Sequence, residues 1–534
     1  VDGPVSVQAI AHSSRAEGVE RIALVSDTPE KFQPGELPAG TTIHHRREMD
    51  AVQRELREVK GVSVLIYEQT CATEKRRRRK RGQMEDPKKF VVINDLVCEG
   101  CGDCSVESNC LSVEPLETAF GTKRKINQSS CNKDFSCLNG FCPSFVTVEG
   151  ATRKKRSGME IDLSRLAAGL PDPELPELDR PFDLMITGVG GTGVVTVGAL
   201  ITMAAHLEGR GSSVLDFTGF AQKFGPVLSY VRLASAPDAI HQVRIDRSAA
   251  DALIGCDIVV SSSPKASASY RPGMRAVVNL AEMPTGDIVR KRDASLHVDR
   301  RLEAIEGVTG QDGLAAMDAN RLSEKLMGDT VFANVMMLGF AWQKGLVPVS
   351  LNALTQAIVL NGVAIEKNHR AFLIGRLAAD RPEALKGLLD PTPQGNGTLD
   401  EIVTRREAFL TDYQNAAYAT RYRRLVDRVR AAEAPLGGDA VSRAVARSLF
   451  KLMAYKDEYE VARLHTETDF SARIAGEFEG DYRIVHHLAP PFLASGTDAR
   501  GRPLKRRFGP WVRLPFRLLA RMKRLRGTAL DPFG

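Results

Sequence analysis

The stretches VCEGCGDCS (Val97–Ser105) and SSCNKDFSCLNGFCPSF (Ser129–Phe145) determine what the middle of this chain can fold into. Seven of the nine cysteines of the 534-residue sequence lie between Cys98 and Cys142. A secreted disulfide scaffold would be short and rich in cysteine throughout, whereas this chain is long and its cysteines are clustered. The clustering therefore indicates a metal centre.

The first half of this cysteine block has the spacing Cys98-x2-Cys101-x2-Cys104-x5-Cys110. A C-x2-C-x2-C run places three thiolates on one tight loop, spaced for three corners of an iron–sulfur cubane. In bacterial two-cluster ferredoxins the fourth ligand comes from the other motif. The first half therefore predicts most of one cluster site and requires a partner elsewhere in the block.

The second half repeats the spacing with a carboxylate in the middle position, as Cys131-x2-Asp134-x2-Cys137-x4-Cys142. A crossed arrangement predicts a [4Fe–4S] cluster on Cys98, Cys101, Cys104 and Cys142. A second cluster is then predicted on Cys110, Cys131, Cys137 and Asp134. Because an oxygen ligand is harder than thiolate, iron would bind weakly at Asp134, and a [3Fe–4S] cluster would result in air.

The spacing departs from the usual ferredoxin pattern, since x5 before Cys110 and x4 before Cys142 replace x3, and no proline follows Cys110. Zinc is the alternative, because C-x2-C pairs are also zinc spacing. Three cysteines in a C-x2-C-x2-C run suit zinc poorly, however, since the adjacent short loops crowd a tetrahedral ion. The block therefore favours iron–sulfur clusters over zinc.

A second motif, GVGGTG, follows the apolar run Phe182–Thr187 and precedes a predicted helix that extends to about Leu207. It fits the G-x-G-x-x-G pattern of a Rossmann-type turn, in which the amides at the helix start favour an anion. Asp216 ends the next predicted strand, where a nicotinamide enzyme would hold a ribose. The candidate cofactor-binding residues are Gly188, Gly190, Gly191, Gly193 and, in a second glycine-bearing loop, Lys223. A turn that binds no nucleotide is the plainer alternative.

The remaining patterns predict a multidomain α/β protein. We expect an α/β domain over 1–87, a ferredoxin-like domain over 88–150, a linker over 151–181, a Rossmann-like domain over 182–398 and a mainly helical region over 399–534. The composition, 43% hydrophobic and 26% charged, is that of an ordinary globular protein. No apolar stretch is long enough to span a bilayer and no signal peptide is evident, so we expect a cytoplasmic location.

Four segments together resemble the C-terminal part of a fused indolepyruvate:ferredoxin oxidoreductase, a family of thiamine-diphosphate-dependent enzymes. They are GVSVLIYEQTCATEKRRRRKRG (Gly61–Gly82), the cysteine block, MITGVGGTGV (Met185–Val194) with TGFAQKFGPVLSYVRL (Thr218–Leu233), and LFKLMAYKDEYEVARLH (Leu449–His465). Together they cover nearly the whole chain. The cysteine block is the most specific of them.

The resemblance implies oxidative decarboxylation of an aryl 2-oxoacid with coenzyme A, with electrons passed through the clusters to ferredoxin. It implies that residues 1–87 end a thiamine-diphosphate domain, and that 182–398 form a gamma domain whose glycines shape a pocket for coenzyme A or substrate, or merely a turn. No GDG motif, which would hold magnesium and thiamine diphosphate, occurs in the chain. We therefore expect these cofactors to be completed by the remaining part of the oxidoreductase, in a homo-oligomeric assembly.

Two other classes of protein remain open at this level. A nicotinamide-linked iron–sulfur reductase would use the glycine loop and Asp216. A cluster-bearing regulator would hold nucleic acid through the basic segment Arg500–Arg526, although we expect this segment to cover a subunit interface. The net charge of +7 is modest for this length, so the fold as a whole need not bind nucleic acid. The other basic run, Lys75–Arg81, is typical of a solvated linker.

Overall fold

The computed structural model describes residues 5–154, 162–218, 225–283, 295–386, 397–490, 493, 496–498 and 500–533. The chain divides into two compact units, Val1–Asp86 and Pro87–Gly534. Within the described residues, no helix is both long and apolar enough to cross a membrane.

The first unit is a small parallel sheet with flanking helices. Its elements are α1 (Val7–Ala16), β1 (Arg21–Ser26), β2 (Thr42–His45), α2 (Met49–Arg57), β3 (Ser63–Glu68) and α3 (Ala72–Lys80). The strand order is β2-β1-β3, and both pairings are parallel. The central strand β1 is buried along almost its whole length, as expected of a parallel strand covered on both faces.

The basic run in this unit forms helix α3, so the expectation of a solvated linker was wrong. Arg and Lys are good helix formers, and their charges favour the C-terminal end of a helix. Glu74 lies near the helix start, where its carboxylate is 2.7 Å from Arg77 and 3.0 Å from Arg78. Lys75 anchors the helix to the sheet through a 2.8 Å contact with Asp27.

The cysteine block forms two antiparallel strand pairs. Its elements are β4 (Lys89–Ile93), α4 (Asp103–Ser108), β5 (Val113–Thr118), β6 (Gly121–Ile126) and β7 (Phe145–Glu149), followed by β8 (Thr152–Arg153). The first and last strands of the block, β4 and β7, pair with each other, and β5 pairs with β6 as a hairpin. The two cysteine loops lie between these pairs in the sequence.

The C-terminal region completes the outer sheet of the cysteine block. Strand β16 (Arg483–Leu488) pairs with β7, and β17 (Arg506–Phe508) pairs with β16, which gives the order β17-β16-β7-β4. These strands join parts of the chain more than 300 residues apart. The cysteine block therefore shares its sheet with the end of the chain.

Residues 182–386 form a six-stranded mixed sheet with helices. The strands are β9 (Phe182–Val189), β10 (Gly211–Thr218), β11 (Pro226–Ala234), β12 (Ala250–Gly255), β13 (Tyr270–Asn279) and β14 (Leu314–Met317). The helices are α6 (Val194–Leu207), α7 (Ile258–Ser261), α8 (Pro264–Ser267), α9 (Val298–Thr309), α10 (Ala319–Met327), α11 (Ala333–Gln343), α12 (Leu351–Asn361), α13 (Ile365–Asp380) and α14 (Pro382–Lys386), preceded by α5 (Leu163–Leu166). The strand order is β10-β11-β9-β12-β13-β14, with β11 antiparallel to both of its neighbours.

Helix α11 is buried on every side, and glycines let it approach α13 closely. A Cβ added at Gly339 would lie 2.0 Å from the carbonyl oxygen of Phe372, and one at Gly375 would lie 2.0 Å from that of Met336.

The sequence pattern misassigned one element of this region. The apolar run 257–262 predicts a strand, whereas Ile258–Ser261 form helix α7, because Asp257 accepts the amide of Val260 at 2.8 Å as an N-cap.

The remaining C-terminal elements are mainly helical, as the sequence predicts. They are α15 (Leu399–Tyr413), α16 (Ala416–Glu433), α17 (Ala440–Met453), α18 (Glu458–Thr466), α19 (Phe470–Glu477), β15 (Phe478–Glu479) and α20 (Arg513–Arg521). The pattern over 441–466 predicts one helix. In the structure α17 ends at Met453, and a second helix, α18, begins after the N-cap residue Asp457. Within 162–181, the carbonyl of Pro171 accepts hydrogen bonds from Gln343 and Arg376.

Candidate metal centre

The first cysteine loop is held in shape by two glycines with left-handed backbone. Gly100 has φ = 65° and Gly102 has φ = 80°. The amide of Gly100 donates to the Sγ atom of Cys98 at 3.3 Å. A Cβ at Gly100 would lie 2.4 Å from the carbonyl oxygen of Thr122 in the β5–β6 hairpin. Glycine is therefore required at position 100 both for its dihedral angle and for its size.

The second cysteine loop repeats this backbone without glycines. Lys133 has φ = 52° and Phe135 has φ = 65°, at the same offsets from Cys131 as the two glycines have from Cys98. The amide of Lys133 donates to the Sγ atom of Cys131 at 3.4 Å. Asp134 therefore stands in the second loop where Cys101 stands in the first. The two loops, which share one spacing in the sequence, thus also share one backbone conformation.

The left-handed residues of the second loop are held by side-chain contacts. A non-glycine residue at positive φ costs about 1–2 kcal/mol, so such a residue needs surroundings that fix it. The Nζ atom of Lys133 donates to the carbonyl of Pro87 at 2.7 Å and lies 4.2 Å from the centre of the Phe90 ring. Lys89 lies 4.7 Å from the centre of the Phe135 ring. Strand β4 and the residues just before it thus hold this loop in place.

Cysteines from both halves of the block converge in one core. Cys98 and Cys104 are buried in it, and three further cysteines pack against it, namely Cys110, Cys137 and Cys142. Cys131 is partly buried and Cys101 is exposed. A Cβ at Gly140 would lie 3.1 Å from the Cα atom of Cys104, so the second half packs directly on the first.

The electrostatic neighbours of the thiols divide the cysteines into two groups. The pKa of Cys104 is raised to about 12, first by burial and then by Cys98, Cys142 and Cys101 in that order. Burial likewise raises the pKa of Cys142 to about 11, and Cys98 and Cys101 add to the effect, which a hydrogen bond from Ser144 opposes. Cys142 of the second half is therefore a neighbour of the three cysteines of the first loop.

The other group forms around Cys137. Burial raises the pKa of Cys137, and its charged neighbours, in decreasing order of effect, are Cys131, Cys110, Cys104 and Asp134. Cys110 of the first half is therefore a neighbour of the second loop. Cys104 of the first group is also a neighbour of Cys137, so the two groups adjoin. The arrangement is compatible with the crossed ligand scheme, which stays a prediction.

The donor chemistry of both groups fits an iron–sulfur cluster. Within the described ranges, no set of three or more His, Cys, Asp or Glu side chains has the geometry to hold a single metal ion. An iron–sulfur cluster does not require its ligand sulfurs to meet around one ion, because each sulfur binds a different corner of the cluster. Buried thiols that raise one another's pKa values ionise only when positive charge compensates them, and a cluster of iron ions supplies such charge.

Lys505, from the end of the chain, lies beside both groups. Its Nζ atom donates to the carbonyl oxygen of Gly140 and lies 5.2 Å from the centre of the Phe145 ring. Burial lowers the pKa of Lys505 to about 8, and four acidic groups oppose that effect. In decreasing order of effect these groups are Cys142, Cys137, Asp103 and Cys104.

A cleft of about 1220 Å³ opens beside the first cysteine loop. Glu99 and Gly100 line it, together with the β5–β6 hairpin and helices from both later regions. Arg406 reaches the hairpin through a 3.0 Å hydrogen bond from its Nη2 atom to the carbonyl of Ala119. Helix α15 is thereby connected to the cysteine block.

The glycine loop forms the predicted turn between β9 and α6. Gly191 and Gly193 have φ values of 86° and 99°, and Gly193 is the N-cap of α6. A Cβ at Gly188 would lie 2.5 Å from Cγ2 of Val194. The pattern assigns the close packing of helix on strand to its last glycine, Gly193, whereas in the structure Gly188 permits it. The amide of Gly190 donates to the carbonyl of Gly225 at 2.8 Å.

Two further features bear on the nucleotide interpretation of this loop. In a dinucleotide fold the acidic residue ends the strand next to the glycine-loop strand. Here β11 lies between β9 and β10, so Asp216 is one strand further away. The predicted anion contact Lys223 lies outside the described residues. The strand order therefore does not support a nicotinamide site at Asp216.

The region around this loop resembles known proteins. Residues 183–378 match the family described as pyruvate ferredoxin/flavodoxin oxidoreductase. This segment is a 2-oxoacid oxidoreductase domain. Residues 399–534 match a family of unknown function, DUF6537. The similarity to an oxidoreductase family thus belongs to residues 183–378, and the description of the second family leaves the role of the C-terminal region open.

Two curated relatives align with the oxidoreductase domain. The indolepyruvate oxidoreductase subunit IorB of Pyrococcus horikoshii is 26% identical over 209 residues, and that of Thermococcus kodakarensis is 26% identical over 206 residues. Each alignment covers 38% of this chain and 96% of the relative.

Solved structures resemble parts of the chain as well. The gamma subunit of a keto/oxoacid ferredoxin oxidoreductase from Geobacter sulfurreducens has 20% identity and a TM-score of 0.27, and covers 37% of this chain and 98% of its own. The 2-oxoglutarate:ferredoxin oxidoreductase from Magnetococcus marinus has 16% identity and a TM-score of 0.29, and covers 56% of this chain and 46% of its own.

Residues of the C-terminal tail near the cysteines were not predicted from the sequence. That the segment Arg500–Arg526 covers a subunit interface stays a prediction. Within the chain, its residues Arg502 and Lys505 contact the cysteine block. His465 also reaches the block, because its Nε2–H donates to the carbonyl oxygen of Pro143 at 3.1 Å. The only sequence signal for this tail was its positive charge, which does not specify what it contacts.

Proposed function

We propose that this chain is the electron-transferring and gamma portion of an indolepyruvate:ferredoxin oxidoreductase. The complete enzyme would convert an aryl 2-oxoacid and coenzyme A to an aryl-acetyl-CoA and carbon dioxide, and pass two electrons to ferredoxin. The family match of residues 183–378 and the IorB relatives support the oxidoreductase class and the choice of substrate. The observation that carries the proposal is that the two cysteine loops share one backbone conformation, with an amide donating to sulfur in each, and that cysteines of the two groups meet in one buried core.

The proposed ligands follow these groups. The first cluster is assigned to Cys98, Cys101, Cys104 and Cys142, and the second to Cys110, Cys131, Cys137 and Asp134. Such clusters supply stepwise one-electron transfer. The chain itself contributes the two loops that orient the thiolates, the amides of Gly100 and Lys133 that donate to sulfur, and the apolar core that excludes water.

Asp134 is proposed as a ligand because its loop copies the backbone of the first loop. In that loop the equivalent residue is a cysteine, and both positions follow a residue whose amide donates to sulfur. The hydroxyl of Ser136 donates to the Asp134 carboxylate. A carboxylate accepts at several lone pairs, so this hydrogen bond is compatible with metal binding. A carboxylate binds iron less strongly than thiolate does, so this corner is the one expected to lose iron.

The other components are assigned on the resemblance. Thiamine diphosphate and magnesium would be held by the remaining part of the oxidoreductase, of which residues 1–87 would be the end of a domain. Gly188, Gly190, Gly191, Gly193 and Lys223 would line a pocket for coenzyme A. Ferredoxin would accept the electrons, and the enzyme would act as a cytoplasmic homo-oligomer without nucleic acid.

The test is to quantify iron and acid-labile sulfide in the full chain purified without oxygen, with EPR spectra before and after dithionite. About eight irons with matching sulfide and a coupled spectrum from two clusters are expected. Cys137→Ser should lower the iron content, whereas the matched change Cys71→Ser, at an exposed cysteine outside the block, should not. Zinc without sulfide would contradict the proposal.

A further inference from the structure

The side-chain ammonium of Lys505 donates a hydrogen bond to the carbonyl oxygen of Gly140, which lies between Cys137 and Cys142 in the chain. Lys505 belongs to the region of unknown function, 399–534, and not to the cysteine block. We propose that Lys505 sets the reduction potentials of both clusters by holding a positive charge between them. The inference rests on the proposed function, since it requires that clusters bind.

The position of Lys505 is fixed from three sides. Its Nζ atom donates to the carbonyl oxygen of Gly140, and Gly140 packs on the backbone of Cys104. The ammonium also faces the ring of Phe145, which follows Cys142 in the chain. The next residue begins β17, whose pairing with β16 ties this part of the tail to the sheet that contains β7. The charge is therefore held by the fold and does not sample the solvent freely.

The thiol groups near Lys505, which would be thiolates once a cluster binds, belong to both groups of cysteines. Cys142 and Cys104 belong to the first group, and Cys137 belongs to the second. Because interactions between charges weaken with distance and with hydration, a half-buried ammonium close to both groups acts on both more strongly than an exposed one would. A single residue is thus placed to affect two electron-transfer centres.

The carboxylate of Asp103, a neighbour of Lys505, does not neutralise the charge of Lys505. Asp103 has cations of its own, since the Nη1 atom of Arg502 lies 3.0 Å from each of its two oxygens and Arg500 lies 3.8 Å away. Asp103 also accepts the amide of Phe141 at 2.7 Å. The carboxylate is therefore neutralised from the tail, and the ammonium of Lys505 is left to act on the thiolates and on what they bind.

The direction of the effect follows from charge. Reduction adds an electron to a cluster and makes it more negative, so a nearby cation stabilises the reduced form and raises the potential. Net charge, hydrogen bonds and burial are the means by which proteins adjust such potentials. Removing the ammonium should lower both midpoint potentials, and replacing it by another cation should restore most of the original values.

The experiment is a redox titration of the full chain with its clusters, followed by EPR, in wild type and three variants. Lys505→Met removes the charge, and Lys505→Arg keeps it. The matched control is Lys523→Met, because Lys523 also belongs to the tail and also donates to a backbone carbonyl, that of Asp412. Iron and sulfide are quantified in every sample, so that a change of potential is not confused with loss of a cluster.

We expect both midpoint potentials to fall in Lys505→Met and to stay near the wild-type values in Lys505→Arg and Lys523→Met. Wild-type potentials in a fully loaded Lys505→Met would overturn the inference and leave the proposed function intact. An equal fall in Lys505→Arg would overturn it as well, since charge would not be the cause. Absence of iron and sulfide from the wild type would overturn the proposed function, and this inference with it.

If Lys505→Met does not retain its clusters, the less apolar change Lys505→Gln takes its place. The side chain of Gln can still donate to the carbonyl of Gly140 but carries no charge. A fall of both potentials in Lys505→Gln would support the inference, and unchanged potentials would overturn it.

Discussion

Arg502 places one guanidinium nitrogen 3.0 Å from each carboxylate oxygen of Asp103. Asp103 begins helix α4, which carries Cys104, whereas Arg502 lies almost 400 residues later in the tail. A second nitrogen of Arg502 lies 2.9 Å from Glu107 on the same helix. This contact fastens the region of unknown function to the cysteine block.

Loss of this contact should loosen the tail. We expect Arg502→Met to destabilise the docking of residues 500–508 by about 1–2 kcal/mol, because a partly buried network of charge-assisted hydrogen bonds is lost. Hydrogen–deuterium exchange of the β17 amides should then accelerate by about 5- to 30-fold. The control Arg423→Met breaks more exposed ion pairs with Glu407 and Asp427 and should leave β17 unchanged. Equal exchange in wild type and Arg502→Met would contradict the expectation.

Gly100→Ala should disrupt the first cysteine loop. The added Cβ would lie 2.4 Å from the carbonyl oxygen of Thr122, and the residue would keep a positive φ. We expect a lower midpoint of thermal unfolding and a loss of bound iron. Gly121→Ala is the matched control, because Gly121 also has positive φ but nothing lies within 4 Å of its added Cβ. A similar loss in both variants would show that the contact with Thr122 is unimportant.

Asp134→Cys should strengthen the weak corner of the second cluster. The variant places a thiolate at the position equivalent to Cys101, so iron should be retained at that corner on exposure to air. EPR should show a smaller [3Fe–4S] signal than in wild type after the same exposure. Asp134→Asn is the companion variant and should enlarge that signal. If neither change alters the spectrum, Asp134 is not a ligand.

Gly188→Ala and Gly307→Ala should have opposite effects on the oxidoreductase domain. An alanine at 188 would overlap Val194 and crowd Cys256, which we expect to cost about 1–3 kcal/mol. Gly307 lies in helix α9, is exposed and has nothing near its added Cβ, so alanine there should stabilise by about 0.5–1 kcal/mol. Thermal unfolding measures both. Destabilisation by both variants would contradict the packing argument for Gly188.

Stability should fall in acid because three histidines are buried beside the cysteine block. Burial lowers the pKa values of His465, His486 and His487 to about 4, 3 and 4, below the ordinary 6.5. A lowered folded-state pKa means that the stabilising neutral form is fully present above pH 6.5. This stabilisation is lost as the pH falls from 6.5 towards 3.

His486→Leu tests this directly, because it removes the group whose pKa is lowered most. The acid-unfolding midpoint, followed by tryptophan fluorescence, should move to lower pH. His206→Leu alters an exposed histidine and should not move it. An unchanged midpoint in His486→Leu would show that protonation of His486 does not limit stability in acid.

Local features of the fold could be predicted from the sequence because they depend on neighbouring residues. Strand β9, the glycine turn and helix α6 follow from an apolar run and four glycines. The residues Gly328-Asp329-Thr330 predict a helix start, and Asp329 is the N-cap of the 3-10 turn Thr330–Phe332 that leads into α11. Elements were misassigned where a cap outweighed an apolar pattern, as at Asp257. The common spacing of the two cysteine loops can also be read from the sequence alone.

Only the tertiary structure decided which side chains surround those loops. The placement of Lys505 and Arg502 depends on β16 and β17 joining a sheet with β7, and pairing between distant strands leaves no local signal in the sequence. The insertion of β11 between β9 and β10, which separates Asp216 from the glycine loop, is equally a matter of long-range pairing. Sequence spacing thus specified the candidate ligands, because the spacing determines which side chains one loop holds together. The fold specified the charges around them, because these charges come from residues that are distant in the sequence.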